Sequence, residues 1–185
     1  MGKLILVTGG ARSGKSTFAE EYVRKLGGNV LYIATSIPFD DEMKERIKRH
    51  KAQRPSEWQT VEAYKDMDLQ LKDGLKGRDA VLLDCITIMV SNLMLERAMD
   101  WEGVSPEEIN AVEAYVKDEI DKLIKTAMDS EIPFIIVTNE LGMGVVPPYE
   151  LGRAIRDIAG RVNQMLAKAS EEVYLCVSGI PVKIK

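Results

Sequence analysis

Short runs of apolar residues alternate along the chain with segments whose apolar residues recur every three or four positions. The runs are continuous, which is typical of parallel strands that are covered on both faces. They predict strands at 4–8, 30–34, 80–84, 134–138 and 172–177, and a further edge strand at 181–185.

The segments between these runs carry helical patterns. Apolar residues spaced for one face of a helix occur at 18–26, 43–50, 109–127 and 151–166. The third pattern opens with Ser105, Pro106 and Glu108, which are spaced for a capping box with proline in the first turn. Alternating strands and helices predict an α/β, doubly wound sheet with right-handed crossovers, and such sheets bind ligands at the carboxyl ends of their strands.

The length and composition fit one globular domain. The chain has 185 residues, 45% of them hydrophobic, so residues 1–185 are expected to form a single domain. The net charge of −4 argues against a nucleic-acid partner, because that affinity comes from many Lys and Arg contacts to phosphate. Cys85 and Cys176 stand far apart, and no apolar run is long enough for a membrane span. We therefore expect a cytoplasmic protein with reduced thiols.

Residues 9–16 match the phosphate-loop pattern G-x-x-x-x-G-K-[ST], between a predicted strand and a predicted helix. Gly9 and Gly14 allow the backbone to curl so that consecutive N–H groups face phosphate oxygens. The helix that follows directs its positive end at the same point. Lys15 is expected to reach the β- and γ-phosphates, and the Ser16 hydroxyl to bind Mg²⁺. The pattern therefore predicts a nucleotide site.

A nucleotide site also needs an acidic residue, and Asp84 ends the third predicted strand. In that position a carboxylate can hold Mg²⁺ directly or through water. The alternative is that Asp84 only caps the next helix. We favour the magnesium or nucleotide contact.

The phosphate loop alone does not name a function, since GTPase switches, ATPases and small-molecule kinases share it. A GTPase should also carry an Asn-Lys-x-Asp motif that reads the base. Here the fourth predicted strand is instead followed by Asn139, Glu140 and Leu141. Asp100 to Gly103 formally match D-x-x-G but follow no strand, so we interpret them as a loop.

The only histidine lies in the most basic part of the chain. Residues 44–54 contain six Lys or Arg residues and one acid, Glu45. Helical spacing places His50 on one face with Met43 and Ile47, which favours a structural histidine. The same imidazole could instead attack a phosphorus atom, with nearby arginines neutralising the phosphates. Spacing alone does not decide between these two interpretations.

Taken together, seven segments resemble one known family over nearly the whole chain. This is the family of bifunctional adenosylcobinamide kinase / adenosylcobinamide-phosphate guanylyltransferases of cobalamin biosynthesis. The segments are VTGGARSGKS, YIATS, DDEMKERIKRHKAQRPSEWQTVEA, LLDCITIMVSNLM, TNELGMGVVP, RDIAGRVNQMLA and VYLCVSGIPVKIK. Met89 departs from the pattern, because the family more often has tryptophan there.

The resemblance implies a P-loop NTPase fold with a RecA-like, mostly parallel sheet. It also implies two reactions: phosphorylation of adenosylcobinamide with ATP or GTP, and then transfer of GMP from GTP to the product with release of pyrophosphate. The match to RxxRHxxxRP implies that His50 carries the guanylyl group. The implied assembly is a homotrimer. The phosphate loop itself predicts the metal, Mg²⁺, with Ser16 and Asp84 as its ligands. The family's GTP contacts fall here on Gly9, Gly10, Ala11, Arg12, Ser13, Gly14, Lys15, Ser16, Ala34, Thr35, Ser36, Lys51, Ala52, Gln53, Arg54, Glu62 and Asp84.

Two other functions stay open on the residues alone. The first is a P-loop kinase that phosphorylates a different small alcohol and makes no use of His50. The second is a nucleotide-binding module without catalysis, since regulators share the same loop.

Overall fold

The computed structural model describes residues 2–37, 45, 55–97 and 99–185. In these ranges the chain forms one sheet of seven strands in the order β3-β2-β4-β5-β1-β6-β7. The first six strands run parallel to their neighbours, and β7 is antiparallel to β6. The strands are β1 (Leu4–Gly9), β2 (Val30–Ala34), β3 (Gln59–Glu62), β4 (Ala80–Asp84), β5 (Phe134–Val137), β6 (Glu172–Val177) and β7 (Ile180–Lys183).

Five helices connect the strands in the described part of the chain. They are α1 (Lys15–Arg24), α2 (Met67–Gln70), α3 (Ile86–Leu95), α4 (Pro106–Asp129) and α5 (Glu150–Ala169). The predicted capping box is present at the start of α4: the Ser105 hydroxyl accepts from Glu108 N, and Ser105 N donates to the Glu108 carboxylate at 2.9 Å. These bonds satisfy donors that the first turn of a helix otherwise leaves free.

The two faces of the sheet bury separate cores, because successive side chains of a strand point to opposite faces. Ile5 and Val7 of β1 face α1 and pack with its buried Ala19 and Val23. Leu4 and Leu6 face the other way, into a larger core that includes residues of α3, α4 and α5. Met89, which departs from the family pattern, is fully buried in this larger core.

The predicted α/β fold with a mostly parallel sheet is confirmed. All five continuous apolar runs are strands, and the edge strand begins one residue earlier and ends two residues earlier than predicted. Residues 100–103 are a loop, as expected. β3, α2 and α3 were not predicted from the sequence. The helix predicted at 43–50 lies outside the described residues except for Glu45. Within the described ranges, no helix has the length and apolar character needed to cross a membrane.

The register of the sheet gathers the carboxyl ends of its strands at one edge. Ala34 of β2 pairs with Glu62 of β3 on one side and with Asp84 of β4 on the other. Strand β5 stands between β4 and β1, so its Val137 pairs with both Asp84 and Val7. Ligands of parallel sheets bind at this edge, and the site is described there.

Candidate nucleotide-binding site

The phosphate loop connects the end of β1 to the start of α1. Gly14 has φ +87°, a left-handed conformation that favours glycine, and its carbonyl accepts from Phe18 N at 3.0 Å as the helix begins. The Lys15 side chain is buried, and its ammonium donates to the Gly10 carbonyl at 3.0 Å. The ammonium therefore lies over the loop, where a phosphate chain would sit.

The turn between β6 and β7 supports the loop from the side. Gly179 N donates to the Ser13 carbonyl at 2.9 Å. Close packing also explains why position 9 is a glycine, since a Cβ there would lie 2.5 Å from Ser13 Oγ and 2.6 Å from the Cys176 carbonyl oxygen. The Ser13 hydroxyl itself is buried and has no hydrogen-bond partner within the described ranges. Any contact of Ser13 with a nucleotide would therefore use its backbone. Gly10, Ala11 and Arg12 are exposed at the tip of the loop.

Asp84 ends β4 at the same edge, and its carboxylate is half-buried. Among the residues that the structure describes, none forms a hydrogen bond or an ion pair with this carboxylate. A half-buried charge with no partner in these ranges costs stability, so Asp84 fits a role toward a bound cation or ligand. The competing idea, a helix cap, is not what the structure has: Cys85 is the N-cap residue of α3, and no side chain caps that end.

Thr35 holds the ends of β2 and β4 together. Its buried hydroxyl donates to the Cys85 carbonyl at 2.8 Å and accepts from Cys85 N at 3.0 Å. The Thr35 carbonyl accepts from the Asn92 amide at 2.7 Å. The hydroxyl is therefore fully engaged with protein, and it fixes the backbone next to Asp84.

The Cys85 thiol lies within electrostatic reach of both charges of the site. Burial, and secondly the Asp84 carboxylate, raise the pKa of this thiol to about 11, while the Lys15 ammonium acts in the opposite direction. The thiol is therefore protonated at neutral pH, and it is neither a nucleophile nor an anionic metal ligand in the free protein.

A magnesium ion fits the donor set at this edge. The described residues contain no group of three or more His, Cys, Asp or Glu side chains that could hold a metal ion by themselves. Mg²⁺ does not require such a group, because it keeps several waters and commonly binds one or two protein oxygens together with substrate phosphates. Ser16, at the start of α1, and Asp84 are the two protein oxygen donors that the sequence analysis named for this role.

The remaining predicted contacts divide into two groups. Ala34, Ser36 and Glu62 lie at the carboxyl edge, with Glu62 exposed in register with Ala34. The others lie outside the described residues; they are His50, Lys51, Ala52, Gln53 and Arg54. The stretch of described chain that precedes their segment ends at Ile37, two residues after Thr35 at the same edge of the sheet.

Sequence reasoning missed a buried polar network beyond β5. The Thr138 hydroxyl donates to Asn163 Oδ1 at 2.7 Å, and the Asn163 amide donates to the Asn139 carbonyl at 3.0 Å. Asn139 N in turn donates to the Thr87 hydroxyl at 2.9 Å. Glu140 N donates to the Gly9 carbonyl at 3.1 Å, which joins this segment to the phosphate loop.

The phosphate loop lies at the carboxyl edge of a parallel sheet, and a single strand, β5, separates β1, which leads into the loop, from β4, which ends in Asp84. This arrangement defines a P-loop nucleotide-binding protein. The comparison with known families is more specific. The family described as cobinamide kinase / cobinamide phosphate guanyltransferase matches residues 5–184, and the chain belongs to this family.

Known relatives match almost the whole chain. A bifunctional adenosylcobalamin biosynthesis protein CobU of Salmonella typhimurium is 50% identical over 98% of this chain and 99% of its own length. The protein of the same name from Escherichia coli is 47% identical over the same shares. The bifunctional adenosylcobalamin biosynthesis protein CobP of Pseudomonas aeruginosa is 36% identical, over 97% of this chain and 96% of its own length.

Proposed function

We propose that this chain phosphorylates adenosylcobinamide and then converts the product to adenosyl-GDP-cobinamide with GTP. The observation that carries the proposal is a phosphate loop with an acidic residue at the same sheet edge, in a chain that matches the bifunctional family over residues 5–184. Relatives that share about half of its residues are named for this bifunctional role in adenosylcobalamin biosynthesis.

In the kinase step, the hydroxyl oxygen of the cobinamide side chain attacks the γ-phosphorus, the bond to the β-phosphate oxygen breaks, and the hydroxyl proton is released to water. The loop N–H groups and the Lys15 ammonium hold the nucleotide for this attack, so the protein contributes mainly positioning and charge stabilisation. Ser16 and Asp84 would hold Mg²⁺, which supplies positive charge beside the β- and γ-phosphates when bound.

In the guanylyl step, a ring nitrogen of His50 attacks the α-phosphorus of GTP, and pyrophosphate leaves. An oxygen of cobinamide phosphate then attacks the same phosphorus, and the P–N bond breaks to regenerate histidine. The basic residues Arg46, Arg49 and Arg54 would stabilise the departing pyrophosphate. The described chain ends at Ile37, two residues after Thr35 at the nucleotide edge, before the segment that carries His50.

Labelling with α-³²P-GTP and Mg²⁺ tests the guanylyl step sharply, because the chain has only one histidine. We expect label on the protein that is lost in acid, kept in alkali, and discharged by cobinamide phosphate. His50→Ala should abolish it while phosphorylation of cobinamide from γ-³²P-GTP continues. Wild-type protein that phosphorylates cobinamide but never takes the α label is a kinase only. Tight GTP binding without transfer of either the phosphoryl or the guanylyl group would show that the protein is a nucleotide-binding module without catalysis.

Three finer points belong to the same proposal. Residues 1–185 act as one catalytic domain, the protein is cytoplasmic, and it assembles as a homotrimer. The trimer rests on family resemblance, and light scattering coupled to size exclusion tests it directly: a mass near three times 20.7 kDa supports it, and a monomer mass contradicts it.

A further inference from the structure

The segment after β5 lies between the two halves of the nucleotide site. β5 stands between β1, which leads into the phosphate loop, and β4, which ends in Asp84. Backbone bonds from Thr138 N to the Val7 carbonyl at 3.0 Å and from Glu140 N to the Gly9 carbonyl fix this segment against β1. Asn139 is therefore centred between the loop and the acidic residue.

The backbone of Asn139 is fixed on both sides by buried groups. Its N–H donates to the Thr87 hydroxyl of α3, and its carbonyl accepts from the Asn163 amide of α5. Thr87, Thr138 and Asn163 are all buried. Two helices from the opposite face of the sheet thus set the position of one half-buried side chain at the nucleotide edge.

The side chains next to Asn139 are engaged with protein. The Thr138 hydroxyl donates to Asn163, and a Glu140 carboxylate oxygen accepts from Gly142 N at 3.1 Å. By contrast, the only hydrogen bond of the Asn139 amide N–H₂ within the described ranges is to Cys85 Sγ at 3.9 Å. Sulfur is a weak hydrogen-bond acceptor, so this amide N–H₂ is positioned but poorly satisfied.

The Cys85 contact also locates the amide. Cys85 directly follows Asp84 at the carboxyl end of β4, the strand next to β5. The Asn139 amide therefore lies among the groups expected to surround the β- and γ-phosphates, and it adds a neutral donor to the charged ones.

We propose that the Asn139 amide donates a hydrogen bond to the terminal phosphate of the nucleotide bound in the phosphate loop. The inference rests on the proposed function only in taking that phosphate as the group transferred in the kinase step. Phosphoryl transfer depends on donors aimed at the oxygens of the transferring group. In the guanylyl step the same phosphate leaves within pyrophosphate and its own bonds do not change.

Calorimetric titration without cobinamide, using Mg²⁺ and either GDP or α,β-methylene-GTP, tests the contact without any chemistry, because His50 cannot cleave the methylene bridge and no phosphoryl acceptor is present. We expect Asn139→Ala to weaken binding of the triphosphate analogue about tenfold or more and to leave GDP binding unchanged, since a hydrogen bond to a charged group is lost. Asn139→Asp should weaken the analogue further, because its charge repels the phosphate. Equal losses for both nucleotides, or no loss for either, would overturn the proposal.

Kinetics separates a contact to the transferring group from a structural role. With saturating GTP, Asn139→Ala should lower kcat for cobinamide phosphorylation at least tenfold and lower the rate of His50 labelling by much less. An equal fall in both rates would show that the change disturbs the site as a whole. An unchanged urea midpoint confirms that the variant is folded. If wild-type protein phosphorylates nothing, the proposed function fails, but the selective loss of triphosphate affinity would still establish the contact.

Discussion

A Cβ atom placed on Gly14 would lie 2.9 Å from the Cα of Gly179, so the phosphate loop and the turn between β6 and β7 meet through two glycines. Gly14 and Gly179 both have positive φ, +87° and +84°. The Gly179 N–H donates to the carbonyl of Ser13, next to Gly14. The conformation of the loop thus depends on a hairpin that is more than 160 residues away in sequence.

Gly14→Ala should therefore damage both stability and nucleotide binding. The methyl group meets backbone rather than a movable side chain, and the left-handed φ adds strain of about 1 kcal/mol or more. We expect a clear loss in the free energy of unfolding, measured with urea, and no measurable binding of GTP. Gly28→Ala is the matched control, because a Cβ there meets nothing within 4 Å and φ is not positive; a similar loss in that variant would contradict the explanation.

An element can be predicted from the sequence when its pattern of apolar and polar residues reflects its surroundings in the fold. The buried parallel strands have such a pattern, because both of their faces are apolar. β3 lacks a recognisable strand pattern, since Gln59 and Glu62 at its ends are exposed and the strand has only four residues. α3 lacks a recognisable helical pattern, because seven of its ten residues are buried and its apolar residues do not form a single stripe.

The same distinction applies to the site. The phosphate loop is contiguous in sequence, and each of its residue types has a local reason, so it could be predicted with its strand and helix. Asp84 could be named from its place at a strand end. The network of Thr87, Thr138 and Asn163 could not, because three separate elements bring these polar side chains together and none has a distinctive local pattern.

The double hydrogen bond between Thr35 and the Cys85 backbone leads to a second prediction. Thr35→Val keeps the shape of the side chain but leaves the buried Cys85 N–H unsatisfied, while the Cys85 carbonyl keeps only its bond from Met89 N at 3.2 Å. The change should therefore lower the free energy of unfolding by about 1–3 kcal/mol. The half-saturating GTP concentration should also rise, because the backbone next to Asp84 loses its support. Thr35→Ser keeps the hydroxyl and is the control; if valine and serine behave alike, the hydroxyl is not what matters.

The acid sensitivity of the protein should depend on Glu172. Hydrogen bonds from Lys3 and then Tyr174 lower the pKa of Glu172 from 4.5 to about 2. A carboxyl whose pKa is depressed by folding contributes stability above pH 4.5, and this contribution is lost as the pH falls toward 2. Lys3→Met removes the largest cause, so urea midpoints of this variant should fall less between about pH 5 and pH 2 than those of the wild type. Parallel pH profiles would contradict this assignment.

Asp84 should show a trade-off between stability and function. Its half-buried carboxylate has no hydrogen-bond or ion-pair partner among the described residues, so the charge costs stability in the free protein. Asp84→Asn keeps the size of the side chain and removes the charge. We expect the variant to unfold at the same temperature as wild type or higher when no nucleotide is present.

Adding Mg²⁺ and GTP should reverse that order. Ligands that bind the folded state raise its melting temperature by mass action, and Asp84 is the carboxylate available to the metal at this edge. Wild-type protein should therefore gain several degrees in melting temperature with Mg²⁺-GTP, while Asp84→Asn gains much less and needs far more Mg²⁺ for cobinamide phosphorylation.

Asp79→Asn is a matched control at the other end of β4, where the carboxylate accepts from Asn29 N at 2.8 Å. That variant should lose stability but keep the wild-type response to Mg²⁺-GTP. The opposite pattern, with Asp84→Asn less stable in the free state and fully responsive to Mg²⁺-GTP, would make Asp84 a structural residue.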